Sequence, residues 1–146
     1  MGEALNIIDT AIRSGIFQTF TRLLEGSNLE RELRSGTSYT LFAPADIAFA
    51  YIPSETLNQL IQAERNEILA DVLGYHAVPE KILVSQLKNL LRAKTVYGDY
   101  LIVNNTYELR IAGARLLQTD IEARNGVIHA IDRLLLPASA ASSASA

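Results

Sequence analysis

Apolar residues in the first third of the chain recur at helical spacing. Leu5, Ile8 and Ile12, with Ile7 and Ala11 beside them, make one face that Ser14-Gly15 closes. Ile16, Phe17, Phe20, Leu23 and Leu24 make a second face, stopped by Gly26, and Asn28 is placed to cap a short third helix carrying Leu29 and Leu33. The period then changes. Tyr39 to Ala43 is aromatic, β-branched and apolar, the composition of a buried strand, and Pro44 ends it. Asp46 is placed to cap a one- or two-turn helix through Phe49 and Ala50. Ser54 caps a helix with Leu57, Leu60 and Ile61 on one face, and another runs from about Arg65 with Ile68, Leu69, Val72 and Leu73 inward. Tyr75 to Val78 reads as a short strand stopped at Pro79, and Ser85 as the cap of a short helix through Leu87 and Leu90.

From Ala93 the pattern is β. Thr95-Val96-Tyr97 and Tyr100 to Val103 flank Gly98-Asp99, a hairpin turn, and Asn104-Asn105 marks another before Tyr107 to Ile111. Gly113 separates that segment from Arg115 to Ile121. Asn125-Gly126 is a strong turn signal before a last strand, Val127 to Leu136. This strand is apolar on both faces, with Val127, Ile131 and Leu135 on one and Ile128, Ala130 and Leu134 on the other, so it is expected to be covered on both sides. Helices first and antiparallel strands after predict the α+β class. Residues 1–137 read as one domain, and 138–146, alanine and serine only, as a disordered tail or linker.

Composition narrows the function. The chain is 49% hydrophobic and 20% charged with net charge −3, as expected of a folded domain. Acids and bases are interleaved, without the basic stripe that nucleic acid or anionic lipid requires. The absence of cysteine excludes disulfides and thiolate metal sites. No apolar run reaches the roughly 18 residues that span a bilayer, and no basic-then-apolar leader opens the chain. Membrane insertion is therefore not expected, and neither is a signal peptide within this sequence.

Three segments in order resemble the fasciclin domain family. They are Thr40 to Phe49 (a strand, proline, acid and buried phenylalanine), the pair Tyr75-His76, and Asn125-Gly126-Val127-Ile128-His129-Ala130-Ile131-Asp132 followed by Leu134 to Pro137. Asn6 to Ala11 is similar to the family's first helix. The resemblance implies a wedge of two small β-sheets with several helices packed around it. It also implies a secreted or cell-surface adhesion module, without enzymatic activity or cofactor, that binds a cell-surface or matrix protein or a glycan. Some family members carry small apolar ligands such as carotenoid pigments, so carriage is the alternative. An enzyme of unrecognised type is a third.

The resemblance nominates Tyr75, His76, Asp120 and Ile121 as partner-contacting residues. Asp120-Ile121 matches the Asp-Ile pair through which adhesive members bind receptors, although Gln118, Thr119 and Glu122 replace the acid, proline and methionine around it. An exposed Asp could present its carboxylate to a receptor-bound metal ion. Against this, Ile121 can be core and Asp120 a turn residue. His76 and His129 sit among apolar neighbours, where a histidine hydrogen-bonded to backbone is the structural alternative. His129 and Asp132, three apart on a strand, fall on opposite faces and make a poor acid–base pair. Two histidines without cysteine are a weak metal set, and no catalytic or phosphate-binding motif occurs. Glu64, Arg65, Glu67 and Asp71 read as a solvated helix face. Asn104-Asn105-Thr106 matches an N-glycosylation acceptor.

Overall fold

A computed structural model describes residues 6–25, 27–34, 38–51, 55 and 72–135. The helices expected from Ser54 and from Arg65, the acidic face at 64–71, and the alanine–serine tail lie outside the described residues, apart from Glu55 and Val72–Leu73.

Helix α1 is Ile7–Ser14; Asn6 caps it by accepting the Asp9 N–H, and Gly15, at φ 77°, ends it. Its buried stripe is Ile7, Ile8 and Ala11, while Ile12, expected inward, is 55% exposed. Helix α2 is Gln18–Leu24 and α3 is Asn28–Arg34. The cap of α3 is Ser27 rather than Asn28: the Ser27 Oγ accepts the Glu30 N–H. Strand β1 is Tyr39–Pro44, followed by a 3-10 helix, Asp46–Tyr51. Asp46 caps a different helix from the one expected. Its carboxylate accepts the N–H of Thr19 in the first turn of α2, while its own N–H donates to the Ile16 carbonyl. The acid thus satisfies an amide that α2 cannot, because Phe17 at its N-cap has no acceptor.

Strand β2 is Ala77–Val78 and α4 is Val84–Leu87; then come β3 (Arg92–Lys94), β4 (Tyr100–Asn104), β5 (Arg110–Ile111), β6 (Ala114–Ala123) and β7 (Gly126–Ile131). They form a seven-stranded order β2-β1-β7-β6-β5-β4-β3. The β1–β7 pair is parallel and the other neighbours are antiparallel. Within this one seven-stranded order β6 changes partner: Ala114 and Arg115 pair with β5, and Leu116 to Ala123 pair with β7. Register shifts after Leu116 and Gln118 break the β6–β7 ladder there, the kind of irregularity that bends a strand.

Two cores cover the two faces of the β1–β7 pair. In the first, α1, α2 and α3 pack on one face of β1 and β7 through residues such as Phe20, Leu24, Leu33, Leu41, Ile128 and Ala130. In the second, Phe42 and Ile131 from the opposite face meet Leu87, Ala93, Leu101 and Ile111. Every residue of β1 and β7 is buried, as the two-faced apolar pattern predicts. Strand β7 is shorter than that pattern: beyond Ile131 the backbone leaves the ladder, and the Leu135 N–H donates to a side chain, His76.

The first hairpin also differs. Its strands are Arg92–Lys94 and Tyr100–Asn104, so 95–99 is all loop. Thr95 holds it closed through Oγ1 and N–H bonds to the Asp99 carbonyl, and Val96 and Tyr97 N–H groups dock onto Ala77 and Gly74 carbonyls. The β5–β6 turn places Ala112 at φ 51° beside Gly113 at φ 88°. This left-handed pair suits Asn-Gly far better than Ala-Gly. Ala112→Asn is therefore expected to raise stability by about 1 kcal/mol, read as a higher urea midpoint at unchanged slope.

Candidate functional site

The sequence nominates two histidines, a tyrosine and an Asp-Ile pair, and the structure gives them different positions. His76 lies at the turn before β2 with 0% exposure. The Leu135 N–H donates to its Nε2 at 2.9 Å, so Nδ1 carries the proton and donates to the Val72 carbonyl at 2.7 Å. Its ring packs on Phe20. Burial pushes its pKa down to about 4, only partly opposed by the Val72 bond. His76 therefore presents no surface, and the partner-contact role expected for it is corrected to a structural one: it ties the chain after β7 to the helical turn 72–74. Tyr75 faces the other way. It is half-buried against the second core, meets the Tyr97 ring edge-on, and its hydroxyl reaches the Tyr100 carbonyl at 3.5 Å.

His129, also 0% exposed, is held as the opposite tautomer. The Asp120 N–H donates to Nδ1 at 3.2 Å, and Nε2–H donates to the Ile82 carbonyl at 2.8 Å. Burial pushes its pKa down, with the Ile82 bond and the Asp120 charge opposing. Both histidines thus spend both ring nitrogens on backbone groups, which leaves neither available as a general base.

Asp120 sits where β6 departs from regular register, at φ 55°. That left-handed conformation is one Asp tolerates better than most residues. It turns the side chain outward, 38% exposed, toward the start of α4. There one carboxylate oxygen accepts the Val84 N–H at 2.8 Å. Among the described residues the second oxygen has no partner. The carboxylate is therefore fixed by a helix amide on one side and open on the other, a geometry suited to monodentate coordination of a cation held by another molecule. Ile121 turns back and packs, half-buried, on the first core. His76 and Tyr75 do not join Asp120 and Ile121 in one patch, since His76 is enclosed and Tyr75 and Ile121 belong to different cores.

The closing Asn125-Gly126 is also scaffold. Asn125 Oδ1 accepts the Ile7 N–H, its Nδ2 donates to the Leu33 carbonyl, and its carbonyl accepts the Tyr39 N–H. One buried amide thereby joins the start of α1, the end of α3, the start of β1 and the entry to β7. Two contributors escaped the sequence reading. Val84 has no role in the sequence pattern, yet its amide fixes Asp120. Thr40, the one polar residue in an apolar run, donates to the Glu80 carbonyl and accepts the Ile82 N–H at 2.6 Å each. A hydroxyl in a doubly covered strand must find partners, and that was the available signal.

Beside this site an open groove of about 520 Å³ is lined by Val84, Leu109, Leu116, Leu117 and Thr119 together with Lys88, Glu108, Arg115 and Asp132. Glu108 is bridged to both Arg110 and Arg115, and Asp132 accepts the Arg115 N–H. Among the described residues no helix is long and apolar enough to cross a membrane.

Comparison with known proteins agrees with this architecture. The Fasciclin domain family model matches residues 15–137. The uncharacterized protein sll1735 of Synechocystis sp. is 34% identical over 131 residues, spanning 90% of this chain and 97% of that protein. Transforming growth factor-beta-induced protein ig-h3 of Sus scrofa is 34% identical over 110 residues, 73% of this chain but 16% of that protein. A solved FAS1 domain pair from the insect cell adhesion molecule fasciclin I shares the fold, with a TM-score of 0.62 at 19% identity over 89% of this chain and 47% of that one. A family match over residues 15–137, together with a sheet order whose β1–β7 pairing is tied by the Asn125-Gly126 junction, makes this chain a member of the fasciclin domain family.

Proposed function

We propose that this domain is a non-enzymatic adhesion module, secreted or displayed at the cell surface, whose Asp120 contacts a protein partner through a divalent cation held by that partner. The observation that carries the reading is the Asp120 carboxylate, exposed at an irregular point of β6 with one oxygen on the Val84 N–H and the other open. Ile121 anchors the strand beneath it in the first core. Fasciclin I, whose domain pair shares this fold, is a cell adhesion molecule. The two histidines, committed to backbone hydrogen bonds, argue against catalysis. Carriage of an apolar pigment gains no support from the described groove, because charged side chains line it and such carriers need a largely apolar enclosure.

The test is attachment of cells to a surface coated with the domain, in manganese and then with a chelator. The reading predicts attachment above an albumin-coated control in manganese, lost on chelation. Equal attachment to the domain and to albumin would overturn it, and so would attachment indifferent to the chelator.

A further inference from the structure

Strand β3 ends the sheet order, so among the described residues one of its edges has no strand beside it. The register fixes which backbone groups point there. The Leu91 carbonyl and the Thr95 N–H both bond toward β4, and Arg92 faces Ile102 while Lys94 faces Tyr100. Backbone groups alternate along a strand, so the N–H and C=O of Arg92 and Lys94 point to the open edge. Their side chains share the outer face with Tyr100, 41% exposed, and Ile102, 58% exposed. The Arg92 guanidinium carbon lies over the Tyr100 ring, 4.2 Å from its centroid, a cation–π contact that places the charge on this outer face. No ion pair to Arg92 or Lys94 forms among the described residues, whereas Arg110 on β5 is bridged to Glu108.

We infer that this edge binds an extended acidic peptide segment as an added strand, with carboxylates at alternate positions opposite Arg92 and Lys94 and an apolar residue between them over Ala93. Cations on an open edge repel a second copy of the same edge. An acidic strand reverses that sign, and cross-strand ion pairs then fix its register. Backbone pairing supplies affinity that ignores sequence, and the two cations supply the choice of partner. The site stands apart from the adhesive reading, because β3 shares no residue with the Asp120 site.

A fluorescent, end-blocked peptide of alternating glutamate and valine is the probe, with anisotropy for affinity and amide hydrogen exchange for location. Binding is expected, together with slowed exchange at the Arg92 and Lys94 amides, and roughly tenfold weaker affinity in the Arg92→Gln, Lys94→Gln double variant. The lysine–valine peptide, and a glutamate–valine peptide N-methylated along one edge, should not bind. Equal binding of the N-methylated peptide would overturn strand addition. Unchanged exchange at Arg92 and Lys94 would also overturn it, as would binding of a sulfated polysaccharide to a face that takes no peptide. Asp120→Asn should leave peptide binding unchanged, so failure here and failure of the adhesive reading are separate results.

Discussion

Gly126→Ala is expected to cost on the order of 4 kcal/mol or more, a large share of the roughly 5–15 kcal/mol that holds an ordinary domain folded. A Cβ at this position would overlap the Tyr39 carbonyl oxygen and lie 2.8 Å from Ile7 Cδ1. The obstacle is backbone, so no side-chain rotation relieves it. Gly126 opens the parallel pairing with Tyr39, and Tyr39 also donates to the Asn125 carbonyl. Moving the strands apart would break the junction that Asn125 makes with Ile7 and Leu33. Gly113→Ala is the control. Gly113 has φ 88° with nothing near its missing Cβ, so only backbone strain of about 1 kcal/mol is expected. Urea unfolding of both variants checks this, and equal losses would mean that close approach is not what Gly126 provides.

Acid should destabilise the domain well above the range in which carboxylates titrate. His76 is neutral when folded, with its pKa lowered from 6.5 to about 4. Above pH 6.5 neither state binds the proton, and stability does not depend on this group. As pH falls from 6.5 toward 4 the unfolded chain is protonated and the folded one is not. Each unit then removes about 1.4 kcal/mol, about 3 kcal/mol in all from His76. His129, lowered in the same direction by burial, adds to the loss. Free Asp and Glu have pKa values near 4, so the interval from pH 6.5 to 5 isolates the histidines. Unfolding free energies at pH 7, 6 and 5 should fall steeply. His76→Gln, whose amide can both donate and accept, should flatten the slope by the share of one histidine. A slope unaffected by this substitution would contradict the neutral buried state.

Much of the framework was legible because burial leaves periodic traces. The two-faced apolar pattern of Val127 to Ile131 correctly gave a strand with a core on each side, and the Leu23–Leu24 face of α2 was equally plain. What escaped was set by contacts distant in sequence. Asp46 looked like the cap of its own helix because local spacing permits that, but the orphan amide it satisfies belongs to Thr19. The hairpin around Gly98-Asp99 looked like a tight turn, yet Thr95 closes a longer loop because 96–97 dock on the 74–77 turn. Tyr75-His76 stood out as a contact pair only through the family resemblance, which carries no information on which ring is exposed. The structure separates them, with one ring enclosed and the other half-open. The hold of the Val84 amide on Asp120 left no trace in sequence, since a backbone donor looks the same at every residue.

The central claim is that Asp120 is the contact and that its neighbours aim it. Asp120→Asn keeps an acceptor for Val84 and tolerates positive φ, but removes the charge a cation needs. Val84→Pro removes the amide that holds the carboxylate. Proline is favoured at a first helical position, and Leu83, at φ −78° and ψ 163°, already has the extended backbone that precedes proline. The decisive measurement is cell attachment in manganese to surfaces coated with the parent domain and each variant, after thermal unfolding shows that all three are folded. The account predicts that Asp120→Asn falls to the chelated level while Val84→Pro retains a weakened, chelator-sensitive attachment. Parent-level attachment by a folded Asp120→Asn domain would contradict it.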